Sequence, residues 1–367
     1  MGGWSASATL PASSKKESIM RVQKNIRGAA TVFFTAVLAF ALPFAAISDA
    51  NAQTTIHVGY FPNITHAQAL VGQANGQFQK DLGSAATLDW HQFNAGPAVI
   101  EALYAGAIDI AYIGPSPTIS GYVKSDGEAL RVIAGASSGA ASLVVRNGAN
   151  INSINDFHGK TIATPQLGNT QDVALREWLA GHGFKTIDKG GDVRIQPTDN
   201  PDQLTLFLKG QLDAAWAPEP WATRLVHDGG GHIFLDERDL WPNRQFVAAH
   251  VIVSTAFLQA HPDLVKKFLQ AHVELTEWIN ANPDQAKLLI NQQIQKDTGK
   301  ALPPVILNEA YSRLSVTYDP IASSLYTSAQ HSVDAGFLRK LPDLSHLYDL
   351  TLLNQVLVEQ NKKPITQ

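Results

Sequence analysis

From residue 54 onward, short β-branched apolar runs alternate with stretches whose apolar positions recur at helical spacing. TIHVGYF (55–61) predicts a strand, HAQALVGQANGQF (66–78) a helix, ATLDWHQF (86–93) a strand and GPAVIEALYAG (96–106) a helix. IDIAYIG (108–114) predicts a strand, SPTISGYVKS a helix, and LRVIAGAS (130–137) a further strand. Strands this short, separated by single helices, imply βα units and a parallel sheet. Near Gly139 the cycle restarts with ASLVVR, GKTIATP, DVALREWLAGHG, DVRIQP, PDQLTLFLKG and LDAAWAP. Beyond about residue 255 the pattern turns helical.

The second cycle repeats the first. LYAGAIDIAYIGPSP (103–117) aligns with FLKGQLDAAWAPEPW (207–221) at an offset of 104, matching Gly106 to Gly210, Asp109 to Asp213 and Tyr112 to Trp216. GYFPNITHAQAL (59–70) aligns with TPQLGNTQDVAL (164–175) at an offset of 105. Two similar offsets in the same order imply two similar α/β lobes. In open α/β sheets, ligands lie outside the carboxyl ends of the strands. Repeat symmetry therefore places loops 61–66, 114–117, 166–171 and 217–221 around one cleft.

The N-terminal residues follow a different pattern. Arg21, Lys24 and Arg27 precede an apolar run from Ala29 to Ile47, and Ala50-Asn51-Ala52 is an A-x-A site. This reads as a secretory signal peptide cleaved before Gln53, with Met20 as the start and residues 1–19 as an upstream extension. The run, about 19 residues, also has the length of a membrane anchor, but the small-residue site favours cleavage. Removing five Lys/Arg and two acids takes the formal charge of −4 to about −7. A mildly acidic chain without basic runs is not expected to bind nucleic acid. The absence of cysteine excludes disulfides, thiolate metal sites and a lipidated cysteine. A Gram-negative periplasm is the simplest expected location.

The segments VGYFPNITHAQALVG, FNAGPAVIEALYAGAIDIAYIGPSP, TPQLGNTQDVALREWL and AWAPEPWATRL, in this order, resemble the periplasmic substrate-binding proteins of ABC importers for sulfonates, taurine and nitrate. The aliphatic-sulfonate branch is the most similar, and the resemblance spans about residues 54–340. It implies the type II periplasmic binding protein fold, two similar α/β lobes joined by a two-crossing hinge. The implied division is 53–139 with 250–345 as lobe 1, 140–249 as lobe 2, and 346–367 as a C-terminal tail. It further implies capture of a small organic sulfonate and delivery to an inner-membrane permease with a cytoplasmic ATPase, by a monomer without cofactor. Taurine, nitrate, an aromatic sulfonate or a thiamine precursor are alternative ligands. An enzyme on the same plan, similar to thiamine-pyrimidine synthases, is the alternative class; it would act in the cytoplasm, against the signal peptide.

Candidate ligand-binding residues cluster at the helix starts. Gly168 permits close approach, Asn169 or Thr170 can cap, and Gln171 opens the first turn; free N–H groups and the dipole there favour an oxyanion. Ser116, in GPSP, offers a hydroxyl before Pro117 at a helix start. Asn63 and Thr65 are capping types, and His66 can donate. Three such helix starts would hold a sulfonate through neutral donors. Trp216 and Trp221, with Tyr60 and Phe61 from the other lobe, are expected to pack on an organic tail. Glu219 repels an anion but can pair with Arg224 or meet an ammonium group; the resemblance places it at the second lobe's cleft. Ser137, Ser138 and Ser142 flank the first crossing. HGKT (158–161) lacks the upstream glycine of a phosphate loop, and Gly229-Gly230-Gly231 lacks dinucleotide-motif spacing. No nucleophile motif appears. The twelve histidines show neither H-E-x-x-H nor a two-His-plus-carboxylate spacing, so no metal site is expected.

Overall fold

A computed structural model describes residues 53–366; the segment read as extension and signal peptide lies outside them. The chain begins β1 (Thr54–Tyr60), α1 (Ala67–Asn75), α2 (Gln77–Leu82), β2 (Ala86–Gln92), α3 (Gly96–Tyr104), β3 (Ile110–Ile113), α4 (Pro115–Lys124) and β4 (Leu130–Gly139). It crosses to β5 (Ala141–Arg146), β6 (Thr161–Thr164), α5 (Thr170–Gly181), β7 (Arg194–Pro197), α6 (Asn200–Leu208), β8 (Ala214–Pro218), α7 (Trp221–His227) and β9 (Gly231–Asp236). It returns with β10 (Val247–Ser254), α8 (Thr255–Ala260), α9 (Pro262–Ala281), α10 (Pro283–Thr298), α11 (Pro304–Ser312), β11 (Leu314–Val316), α12 (Ala322–Asp334) and α13 (Thr351–Glu359).

Two sheets result, ordered β11-β4-β10-β3-β1-β2 and β7-β6-β8-β5-β9. In the first, β1 pairs parallel with β2 and β3, but β10 runs antiparallel to β3 and β4. In the second, β6 pairs parallel with β7 and β8, while β5 runs antiparallel to β8 and β9. The expected parallel sheets are therefore mixed. The cause is the crossing: β5 and β10 each enter a sheet directly from the other lobe, without the helix a parallel return requires. Val247–Ala249, assigned above to lobe 2, are part of β10 in the first sheet.

The internal repeat has a structural basis. Asp109 and Asp213 each reach back to the first strand of their own βα series. Asp109 Oδ2 accepts from His57 N at 2.8 Å, and Asp213 Oδ2 accepts from Thr161 N at 2.9 Å. The preceding turns need glycine, with φ of 70° at Gly106 and 68° at Gly210.

Two further expectations change. The helix read over 66–78 is broken at Gly76, whose φ of 71° ends α1 before α2 begins. Residues 346–367 are not a tail: α13 buries Leu353, Val356 and Leu357 against α9 and β4. Its apolar spacing at i, i+3 and i+4 marks it as a packed amphipathic helix. The first lobe's core is one cluster running from Ile56 to Leu357, whereas the second sheet carries separate clusters on its two faces.

Candidate functional site

A cavity of about 30 Å³ lies where the two sheets' loops meet. Helix starts from both lobes surround it. The first lobe contributes Asn63, Thr65 and His66 ahead of α1, Asn94, Ala95 and Gly96 at α3, and Gly114 and Pro117 at α4. The second contributes Asn169, Thr170 and Gln171 at α5 and Asn200 at α6. Gly139, Ala140 and Ala141, the first crossing, form its back. None of its lining residues is Lys, Arg, Asp or Glu.

The hydrogen bonds determine what each lining group can offer. At α5, Asn169 Oδ1 caps the helix by accepting from Asp172 N at 2.8 Å, and Asn169 N is bonded to Gln166 O. The N–H groups of Thr170 and Gln171 then remain as the unpaired donors of that first turn. Asn169 Nδ2 donates to Gln171 Oε1 at 3.0 Å. Behind them Asp172 is fully buried, accepting from Gly168 N at 2.8 Å and paired with Arg176 at 3.2 Å. Burial raises the Asp172 carboxyl above its usual range, opposed by the Gly168 N–H and Arg176. The Arg176 guanidinium thus faces that carboxylate.

His66 is sealed and neutral. Its Nδ1 accepts from Phe61 N at 3.0 Å, so the ring proton sits on Nε2. Burial lowers its pKa to about 3. Asn63 Oδ1 accepts from the Trp221 indole at 3.1 Å across the lobes, which leaves the Asn63 amide nitrogen as a donor. Behind Gly114, the buried His250 Nε2 lies 2.8 Å from Thr118 Oγ, which itself donates to Gly114 O at 2.9 Å.

Five of the ten candidate residues line the cavity: Asn63, His66, Asn169, Thr170 and Gln171. Ser116 and Gly168 open instead on a neighbouring groove of about 250 Å³ with Leu167 and Phe337. Trp221 faces an outer vestibule of about 370 Å³ that shares Asn63, Asn94 and Asn200 with the cavity. The Arg224 guanidinium carbon lies 4.6 Å from the centre of its ring. Tyr60 is outside: its buried ring packs edge-on against Trp90, and its hydroxyl lies beside Asp297. The alternation of β1 carries Tyr60 to the sheet face opposite His57 and Gly59, into the core.

Glu219 is also outside the cavity, and its partner is not Arg224. Its fully buried carboxylate takes Thr223 N at 3.0 Å, Thr223 Oγ at 2.9 Å and Arg313 Nη1 at 3.0 Å. Arg224 pairs with Asp228. Trp216 is core as well, its indole donating to Glu237 at 2.8 Å. Among the hinge serines, Ser137 donates to Thr65 O and Ser138 accepts from Phe246 N, while Ser142 Oγ is buried with no partner among the described residues.

Asn94, Gly96 and Asn200 escaped the sequence reading, although extending its repeat reaches Gly96 and Asn200. The same 104-residue offset carries Gly96-Pro97 onto Asn200-Pro201, and both are proline-containing helix starts after a strand. Asn94 Nδ2 reaches Asp199 Oδ2 at 2.7 Å and closes the mouth between the lobes.

The model of the NMT1-like family matches residues 49–292, two thirds of the chain. The chain belongs to the NMT1-like family. One relative is the taurine-binding periplasmic protein of Escherichia coli (strain K12), 29% identical over 164 residues. That alignment covers 44% of this chain and 48% of the relative, so the chain spans about half of that protein's length. A similar solved structure is the alkanesulfonate-binding protein SsuA from Xanthomonas axonopodis pv. citri bound to MOPS, with a TM-score of 0.64 and 19% identity, covering 83% of this chain and 97% of that one. Another is the periplasmic nitrate-binding protein NrtA from Synechocystis PCC 6803, with a TM-score of 0.68, 14% identity and coverage of 84% and 89%. The NMT1-like chain thus has the fold of the periplasmic binding proteins.

Proposed function

We propose that the protein is the extracytoplasmic ligand-binding component of an ABC-type importer, capturing a small organic sulfonate without chemistry. It would act in the periplasm as a monomer and deliver the ligand to an inner-membrane permease driven by a cytoplasmic ATPase. The observation that carries this reading is the uncharged cavity enclosed by helix starts of both lobes. Thr170 and Gln171 N–H, the Thr170 hydroxyl, Asn63 Nδ2 and His66 Nε2–H are neutral donors, suited to a weakly basic oxyanion that must later be released. The taurine-binding relative and the sulfonate- and nitrate-binding neighbours agree with that chemistry. About 30 Å³ suits the head group, and the organic tail would extend into the vestibule beside Trp221. His66, the one titratable side chain of the lining, has Nδ1 occupied and is far too weak a base to act as a proton acceptor near neutral pH.

One observation favours a taurine-like ligand within this class. Asn200 Oδ1, at the border of cavity and vestibule, is buried with no donor among the described residues. An ammonium group two carbons from the sulfonate would supply one. Isothermal titration with short alkanesulfonates, taurine, nitrate and sulfate tests both points. Saturable heat with sulfonates is expected, and tighter binding of taurine than of ethanesulfonate supports the second. No heat with any oxyanion would overturn the proposal.

A further inference from the structure

On the outer face of the first sheet, away from the cavity lining, two histidines and a carboxylate converge. The parallel register pairs His57 with Asp89 and Gly59 with His91, so all three side chains project from one face. One ligand atom from each of His57, Asp89 and His91 lies within 4.8 Å of the others. His91 Nε2 is 3.1 Å from Asp89 Oδ2, yet it is shut off from solvent without a well-aligned hydrogen bond. The two imidazole centroids are 5.7 Å apart. A tetrahedral ion with bonds near 2.0–2.1 Å holds its ligands about 3.3 Å apart, which small side-chain rotations would reach here.

A fourth residue prepares the site. Asp109 Oδ2 lies 3.0 Å from His57 Nδ1 and also accepts from His57 N. A carboxylate that accepts a hydrogen bond from Nδ1–H leaves the Nε2 lone pair free for an ion, the arrangement that orients metal-bound histidines. The repeat sharpens the point. Asp213 makes the same bond to the backbone of the second lobe's strand, but the residue equivalent to His57 there is Thr161. The first lobe has therefore added an imidazole to a shared structural device, and the neighbouring strand supplies the second imidazole and the carboxylate.

We infer that His57, His91 and Asp89 form a binding site for a divalent transition ion of the zinc class, oriented by Asp109. Two neutral imidazoles and one carboxylate leave a fourth position open to water and select zinc over calcium or magnesium, which prefer all-oxygen sets. The ion would join β1 to β2, the strand at the edge of the sheet. Sequence spacing concealed the site because its ligands come from two strands more than thirty residues apart.

Titration of the tag-free, metal-stripped protein with Zn²⁺ tests this. One saturable site and a rise in melting temperature with zinc are expected. His91→Gln is expected to abolish the site, Asp89→Asn to weaken it, and Asp109→Asn to weaken it about 10–100-fold. His158→Gln, at a separate His158–Asp192 pair, is expected to leave zinc affinity unchanged. Circular dichroism confirms that each variant is folded, and the exposed Asp89→Asn serves should His91→Gln misfold. The absence of one-site zinc binding below about 100 μM, or unchanged affinity in both His91→Gln and Asp89→Asn, would overturn the inference.

Discussion

At the scale of single residues, the cavity's donors are separable from the groups that merely support them. Thr170→Val keeps the shape of the side chain and removes one hydroxyl facing the cavity. It is expected to weaken sulfonate binding by about 1–3 kcal/mol, measured by titration calorimetry, with little change in melting temperature. Ser116 opens on the neighbouring groove, so Ser116→Ala is expected to cost less affinity than Thr170→Val. A second residue governs pH dependence. Burial pushes the Glu237 carboxyl up to about 7 from 4.5, with the indoles of Trp216 and Trp241 opposing the shift. The folded state then holds that proton more tightly than the unfolded chain. Its stabilisation is fully present below about pH 4.5 and is lost as pH rises through about 7, a change of about 3 kcal/mol. Urea midpoints across that range are expected to fall more steeply for the natural chain than for Glu237→Gln.

At the scale of elements, the hinge is the feature that pattern reading reached least. Gly139 and Ala140 both have positive φ, 78° and 58°. Ala140 N bonds to Arg313 O and Ala140 O accepts from Glu219 N, so two distant segments grip one residue. The buried Glu219–Arg313 pair ties those same segments together. Arg313→Ala would strand a carboxylate in the interior and is expected to cost about 3–5 kcal/mol in denaturant unfolding, with Glu219→Gln recovering part of it. Alternation along the chain located the strands and helices because each element buries one face at its own period. It located β5 without its antiparallel direction and missed β10; both directions are set by the lobe from which the chain arrives. It also missed α13, whose apolar face is short and acquires meaning only against α9 and β4.

At the scale of the whole molecule, the two lobes meet closely beside the cavity. Gly114 and Thr170 belong to different lobes, and a Cβ on Gly114 would come within 2.3 Å of Thr170 Oγ. The Gly114 backbone, at φ −78°, accepts any residue, so the constraint is the closeness of the lobes. Gly114→Ala is expected to prop the cleft open. Ligand affinity should fall roughly tenfold or more, and small-angle scattering with saturating ligand should show a larger radius of gyration than for the natural chain. An unchanged affinity would mean that the lobes need not meet at this point to hold the ligand.

The sequence alone determined the two-lobed plan, because Gly106/Gly210 and Asp109/Asp213 are local requirements of a turn and of a strand register, met twice at one offset. It also located the helix starts at Asn63, His66, Asn169 and Thr170, since capping is a matter of a few adjacent residues. Only the tertiary structure decided which of these share a cavity. It turned Tyr60 and Trp216 into core, gave Glu219 to Arg313, and added Asn94, Gly96 and Asn200. It also brought His57, Asp89 and His91 to one face. Those outcomes depend on which strands lie side by side and which loops meet across a hinge, distances that no spacing along the chain contains.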